Sequence, residues 1–389
     1  MKNNLKNLNF LLLILMIAYS ILGIVMILSA SSVAAVLRYN VVSNYFAFKQ
    51  LRYFILAYFL SLFVIAIPTS KYKYIYRLFL YGMIAALVMV LFVGKISNGA
   101  QAWLQMGGRR LQPLEFAKLA LIMYLSMYYY KFSLKTYSNK WLFAFMALYP
   151  MLLSVIIFGL LAKQPDLGGA IIIAMIAAFI FFSIPMSKKN KKFVYKIVGI
   201  LLLIFAFVVL LFKDKIFDSY QLNRFNFLNP CSRYKEDTGY QVCNSYIAVH
   251  NGGISGVGLG NSTQKYMYLP EAHTDFIFAI IVEELGLIFG IVIVAGYFVM
   301  LFAILKIAKN AKNLRNSILA YGIFTYLFAH IAINLMGILG IIPLTGVPLP
   351  FLSYGGSYGI SVILAMAVIQ RINIENKVEE RRNKIKNLK

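Results

Sequence analysis

From Phe10 to about Ala30 the chain carries no charged side chain, and nine more apolar runs follow it. They fall at approximately 48–67, 75–93, 113–130, 141–161, 167–184, 197–212, 275–305, 317–339 and 357–371. A helix needs about 20 mostly apolar residues to cross a bilayer core, where every backbone N–H and C=O must be satisfied within the segment. A soluble domain would carry roughly 25% charged residues. This chain of 389 residues has 13% charged and 61% hydrophobic side chains. The expected fold class is an all-α polytopic membrane protein of ten transmembrane helices, without a soluble domain. The first run follows Lys2 and Lys6 and ends in "SASSVAA", flanks that a signal peptide shares. It is longer than the roughly 7–15-residue apolar region of such peptides, so it reads as a retained span.

A net charge of +25 would suit nucleic acid if it were spread over one face. Here the basic residues sit in short clusters between apolar runs, which is the pattern of cytoplasmic loops and argues against a nucleic-acid partner. With both termini inside, cytoplasmic segments hold 24 of the 38 basic residues, among them "KYKYIYR", "SKKNKKFVYK" and "KIAKNAKNLR". The outer connections are longer yet poorer in Lys and Arg, and 340–356 carries no charge at all. The expected organisation is one ten-helix domain over 1–371 with N and C termini cytoplasmic, then a basic cytoplasmic tail at 372–389, frayed or helical.

The longest connection, 213–272, joins spans seven and eight and would be extracytoplasmic. It contains "NGGISGVGLGNS" and the two cysteines, Cys231 and Cys243. No strand precedes "GVGLG", so a dinucleotide loop is not supported, and close backbone packing or loop flexibility explains the glycines. A disulfide survives in that compartment. Composition leaves a Cys231–Cys243 bridge and two free thiols both open.

Four segments join a proline to polar residues at the edge of an apolar run: "LQPLEFAK" (111–118), "KQPDLGG" (163–169), "LPEAHTDF" (269–276) and "LPFLSYGGS" (349–357). They precede spans four, six, eight and ten, and every even span starts on the outer face. All four therefore fall at outer helix N-termini. Proline is at home in a first helical turn, and free N–H groups at the positive dipole end favour an anion. Four such ends at one level can surround an outward-facing pocket for an anionic, membrane-bound substrate.

Each polar residue has a plainer reading. Glu115 and Lys118, three apart, share a helix face and either neutralise each other or charge the cavity. Asp166 after Pro165 either caps the sixth helix or faces substrate. Glu283 lies on the side of Asp275 to within about 80°, and Glu284 lies opposite it. His330 reads as a satisfied interior histidine. No cluster has convincing metal-ligand spacing. Asp275, in "HTDF", stands apart. A helix start keeps a carboxylate ionised while Phe276 and Phe278 desolvate it, the compromise a general base requires. Thr274 would serve as well for capping alone.

Together, "LQPLEFAKLAL", "KQPDLGGA", "YLPEAHTDFIFAIIVEELG" and "IIPLTGVPLPFLSYGGS" resemble the SEDS family (shape, elongation, division and sporulation proteins), in the same order and spacing over nearly the whole chain. Ala272 and "YQVCNSYIAVHNGGISGVGLGNSTQK" are closer to its division-type members than to its elongation-type ones. Two positions depart from the pattern: Leu114 where serine is common, and Gln101 and Ala102 where an arginine pair precedes the tryptophan matched by Trp103. Arg109 and Arg110 would have to supply that charge.

The resemblance implies a peptidoglycan glycosyltransferase that polymerises lipid II, an undecaprenyl-pyrophosphate-linked disaccharide-pentapeptide, at the outer face of the bacterial cytoplasmic membrane. It implies work at the division septum beside other division proteins and a class B penicillin-binding protein that crosslinks the strands. Asp275 matches the family's essential aspartate. Glu115, Lys118 and Asp166 match its conserved charged positions. Gln112, Arg109, Arg110, His273, Thr274, Ser353, Gly355 and Gly356 complete the candidate substrate-binding set. An α-linked donor giving a β-1,4 bond means inversion, so one carboxylate base suffices, unlike the acid and base pair of glycosidases. The pyrophosphate leaving group needs charge stabilisation, from helix N-termini, Arg109, Arg110 or a divalent cation such as magnesium or manganese. The sequence itself requires no cofactor. A lipid II flippase, which would line a path through the midplane, and a non-catalytic division scaffold are the alternatives.

Overall fold

The computed structural model describes residues 6–97, 100–106, 109–216, 227–235 and 237–387. Each expected apolar run is a helix: α1 (Phe10–Leu37), α2 (Tyr45–Ala66), α3 (Tyr76–Val93), α4 (Pro113–Ser133), α5 (Lys140–Lys163), α6 (Leu167–Ser183) and α7 (Lys188–Ile216). After a further helix, α8 (Asp237–Gly252), come α9 (Ile277–Lys309), α10 (Leu314–Ile338) and α11 (Gly356–Lys386). Among the described residues, 7 helices are long and apolar enough to cross a membrane: α1, α2, α3, α5, α9, α10 and α11. The apolar α6 has 17 residues, and α4 carries Glu115, Lys118 and Lys131 within its length.

The helices start where the sequence offers caps. Asn9, Asn139 and Asn313 each accept a first-turn N–H of α1, α5 and α10, satisfying donors that a helix leaves open. Pro113 occupies the first turn of α4. The bundle's centre is α10 and α11, whose apolar windows are 72% and 78% buried, against 22% for α2 and α3. On the periphery Leu78 and Phe92 point outward, which carries little penalty where the surrounding solvent is lipid tails.

Hydrogen bonds sort the connections onto two ends. At one, Asn9 N–H donates to Gln370 Oε1 and Asn373 Nδ2 to Asn7 O, both at 2.8 Å. There also Thr69 donates to Glu375 and Asn376 to Ile307 O. This end gathers the lysine-rich connections. The other end gathers the four proline motifs.

Two expectations are corrected. The chain is not purely α: Lys95–Ser97 (β1), Ala100–Met106 (β2) and Arg109–Leu111 (β3) form an antiparallel sheet of order β1-β2-β3 between α3 and α4, with Lys95 opposite Trp103 and Gln105 opposite Arg110. The connection 213–272 is not all loop, because α7 continues to Ile216 and α8 lies within it. After residue 371 the chain is helical rather than frayed, because α11 runs on to Lys386 with Ile372 and Ile374 buried. Cys231 and Cys243 are disulfide-bonded, which ties the short helical turn Pro230–Arg233 to α8.

Candidate active site

Asp275 lies in the turn ahead of α9, whose N-cap is Phe276, so it precedes the helix it was expected to begin. It is half-buried. Thr274 does not cap α9. Its hydroxyl donates back to the Glu271 carbonyl and carboxylate at 3.2 and 3.0 Å, closing the turn. The turn is fixed from α10 by Asn334, whose side-chain amide donates to Asp275 O at 2.7 Å and to Val347 O at 2.8 Å. One amide therefore holds the aspartate and the uncharged segment 340–356 together.

That segment, with Ser357 just beyond it, meets each of the other three motifs. A Cβ on Gly346, where φ is +71°, would lie 3.3 Å from Asp275 Oδ2, so the segment's backbone passes directly over the carboxylate. At the start of α6, a Cβ on Gly168 would stand 2.8 Å from Thr345 O. Asp166 caps α6 by accepting the Gly169 N–H at 2.8 Å. Tyr354 N–H donates to His273 O at 2.9 Å, and Gln112 N–H donates to Ser357 Oγ at 3.0 Å. The four motifs therefore meet at one end of the bundle.

Within this meeting point the candidate residues divide by depth. Ser353 is buried, and its hydroxyl accepts the Leu349 N–H at 2.8 Å, shaping the segment from inside. Gly355 N–H donates to Gln50 Oε1 at 3.1 Å, and a Cβ on Gly356 would strike the Tyr53 ring at 2.6 Å. These two glycines seat α11 against α2. His273 is 2% exposed and packs between Phe46 and Tyr354, with ring centroids 4.7 and 5.6 Å away. Burial, helped by the positive charge of Arg38, pushes its pKa down to about 4 and keeps the ring neutral.

Glu115 and Lys118 do pair, at 2.8 Å, but in the core, 2% and 1% exposed. The ammonium also reaches His330 Nε2 at 3.1 Å, and His330 Nδ1 lies 3.2 Å from Pro348 O. With Nε2 accepting from the ammonium, Nδ1 carries the proton and donates to that carbonyl. His330 is the satisfied interior histidine expected, and it passes the ion pair's position on to the segment over Asp275.

The rim is cationic. Arg110 is exposed on β3. Burial raises the pKa of the Tyr39 and Tyr354 hydroxyls, and the Arg110 charge opposes the rise at both. Arg109 lies in β3, but its side chain is outside the described residues. Arg38, which the sequence reading missed, donates to Pro270 O at 3.2 Å and pairs with Glu271 at 3.6 Å beside the aspartate's turn. Its signal was a lone arginine just past an apolar run, on the side where basic residues are scarce. Among the described residues no group of three or more His, Cys, Asp or Glu side chains converges to hold a metal ion.

Also missed is the support beneath Asp275. Inside α9, Gly286 leaves helical geometry with φ +87°. The glycine segment fills the break: Val257 and Gly258 N–H donate to Glu283 and Glu284 O at 3.0 and 2.9 Å, and Leu287 N–H donates to Gly253 O at 3.0 Å. A Cβ on Gly256 would fall 2.4 Å from Glu284 O. Close backbone packing is thus the reason for these glycines. The buried Glu283 carboxylate accepts from the Thr263 N–H and hydroxyl, from Asn251 and from Ser262. Buried Glu284 pairs with Lys265 at 3.1 Å and accepts from Ser29 at 2.6 Å.

The family model described as "Cell cycle protein", FTSW_RODA_SPOVE, matches residues 9–378. The probable peptidoglycan glycosyltransferase FtsW of Bacillus subtilis is 36% identical over 99% of this chain and 95% of its own length. That of Coxiella burnetii is 37% identical over 92% and 93%. Among solved structures, one described as a peptidoglycan synthase complex that coordinates polymerization and crosslinking superimposes with a TM-score of 0.73 at 23% identity, over 95% of this chain and 98% of the other. Thermus thermophilus RodA, a rod shape determining protein, does so with a TM-score of 0.64 at 21% identity, over 94% and 96%.

Proposed function

The chain belongs to the FtsW/RodA/SpoVE family of cell cycle proteins, and from that premise we infer that it is a multi-pass membrane peptidoglycan glycosyltransferase of cell division. Its substrate is lipid II, presented at the end of the bundle where the four motifs meet. Ten helices cross the membrane with both termini cytoplasmic, α8 and the β-sheet lying outside. The lysine-rich clustering of the opposite end supports that orientation.

In the proposed reaction Asp275 removes the proton from the 4-hydroxyl of an acceptor N-acetylglucosamine. That oxygen forms a bond to the anomeric carbon of the donor N-acetylmuramic acid as the bond to lipid pyrophosphate breaks, and the electron pair leaves with the pyrophosphate. Configuration inverts in one displacement, so no covalent enzyme intermediate and no second carboxylate are needed. Arg38 and Arg110 meet the departing negative charge, and the N-termini of α4, α6 and α11 add their dipoles. Glu115, Lys118 and His330 act as positioning residues through Pro348. The reading includes a crosslinking partner, a class B penicillin-binding protein, at the septum; the solved complex that this chain resembles is one that coordinates polymerization and crosslinking.

The observation that carries this reading is the placement of Asp275: half-buried and held by Asn334, it lies under Gly346 among the four outer helix starts. Asp275→Asn preserves shape and removes the base. With labelled lipid II and the partner transpeptidase blocked by a β-lactam, the unsubstituted protein is expected to form glycan strands on a gel. The variant, expressed and inserted normally, is expected to lose at least about 100-fold in rate. Near-normal strands from the variant would move the base elsewhere, and none from either protein would overturn the polymerase assignment.

A further inference from the structure

At the end of α9 farthest from Asp275 lies a groove of about 1050 Å³, walled by α9, the start of α1 and the last turns of α11. Lys306, Lys309, Lys312 and Lys377 line it. Its one lining acid, Glu380, is taken up by Lys384 at 2.9 Å. Among the described residues no carboxylate comes within 4.0 Å of the Lys306, Lys309 or Lys312 ammonium, although Glu380 also feels the Lys312 charge. The walls are joined by Asn373, which donates to Asn7 O at 2.8 Å, and Asn376, which donates to Ile307 O at 3.1 Å. The groove is a built concavity rather than a chance dip between helices.

Its polarity changes along a single helix face. Val299, Phe302 and Lys306 follow one another on α9 at helical spacing, and all three line the groove. From Val299 to Lys306 the rise is about 10 Å. The apolar half is open, with Val299 45%, Phe302 71% and Leu11 of α1 49% exposed. We propose that this groove binds an anionic phospholipid, with its phosphate among Lys306, Lys309 and Lys312 and an acyl chain along Val299, Phe302 and Leu11. Phosphate is the chemistry the lysines recognise. A free phosphate would use only the lysine half and leave the apolar wall unexplained, and a lipid uses both. Lysines in cytoplasmic connections are common in membrane proteins, so the proposal concerns this concavity and not basic character in general.

The test uses the full chain, purified and stripped of lipid, with retained lipid counted by native mass spectrometry after exposure to vesicles of phosphatidylglycerol or of phosphatidylcholine. Inorganic phosphate is added as a competitor in a separate arm. A lysine near an anionic headgroup contributes about a fivefold factor, so Lys306→Gln with Lys309→Gln and Lys312→Gln is expected to weaken phosphatidylglycerol retention roughly 100-fold. Phe302→Ser is expected to weaken it as well while leaving thermal unfolding unchanged. A matched control, Lys188→Gln with Lys189→Gln and Lys191→Gln, is expected to change nothing. Equal loss in the control, equal retention of phosphatidylcholine, or displacement by phosphate as effectively as by lipid would each overturn the proposal.

Discussion

Glu115 and Lys118 offer a quantitative test of how the core supports the site. Lys118→Met strands a carboxylate that is 2% exposed and loses an ammonium 2.8 Å away. The Tyr326 hydroxyl at 3.4 Å is too distant to replace it. Breaking one side of a buried pair costs about 3–5 kcal/mol, because the remaining charge stays desolvated. Glu115→Gln leaves Lys118 the neutral acceptor His330 at 3.1 Å, so its loss is expected near the lower figure. The double variant buries no charge and is expected to lose only about 1–2 kcal/mol for altered hydrogen bonds and packing. The singles therefore sum to at least about 6 kcal/mol, and the cycle should show coupling of about 4 kcal/mol. Unfolding of the purified protein in detergent, followed for all four forms, measures the cycle. Lipid II polymerisation should recover less than stability does in the double variant, because His330 and Pro348 lose their anchor. A cycle additive to within about 0.5 kcal/mol would refute the argument.

The remaining predictions concern the same end of the molecule. His273 titrates at about 4 when folded, below its ordinary value. The unfolded chain therefore takes up a proton first as pH falls from about 6.5, and stability is full above that pH and declines toward pH 4, by roughly 3 kcal/mol at most. His273→Phe should flatten that decline in pH-dependent unfolding, and an unchanged slope would remove His273 as its cause. Gly286→Ala would push a Cβ to 2.3 Å from Ile254 O at φ +87°. It should detach the glycine segment, exposing 251–265 to limited proteolysis and abolishing polymerisation, and resistance with full activity would contradict this. For Cys231 and Cys243, alkylation before mass spectrometry should find no free thiol. The loop-entropy model gives such a small ring about 3 kcal/mol of stabilisation, so the double Ser variant should insert normally and lose activity at lower temperature than its parent.

Much of this fold is legible in sequence because lipid imposes one solution on an apolar run. Nine of the ten helices begin within about three residues of where the runs begin, while α7 starts nine residues ahead of its run, at Lys188, and the clustering of the four motifs at one end follows from counting spans. What escaped notice was the short helix α8 and most of what is not helical. The sheet over 95–111 had local signals in Asn98-Gly99, Gly107-Gly108 and the alternation "AQAWLQM", the marks of hairpins, but so short a stretch is outweighed by the long runs on either side. Glu283 and Glu284 were judged by their angle to Asp275, whereas their partners, Ser262, Thr263 and Lys265, come from a segment about 20 residues earlier. Helical angles cannot reveal a carboxylate whose purpose is to hold another piece of chain.

That distinction also explains why so few of the candidate polar residues lie where a substrate could touch them. Glu115, Lys118, His330 and Ser353 are buried, and each bonds, directly or through one or two neighbours, to the backbone of 348–353. On the other side of Asp275, the buried Glu283 and Glu284 bind 262–265 into the break in α9. The aspartate is therefore clamped between an uncharged segment braced from below by one buried ion pair and a broken helix braced by another. Charges placed in a membrane core are expensive unless paired, and here the pairing fixes backbone that contains no regular helix to fix it. A site for joining two large lipid-linked sugars must stay open to admit both. Rigidity then has to come from beneath the reacting carboxylate, where these ion pairs lie.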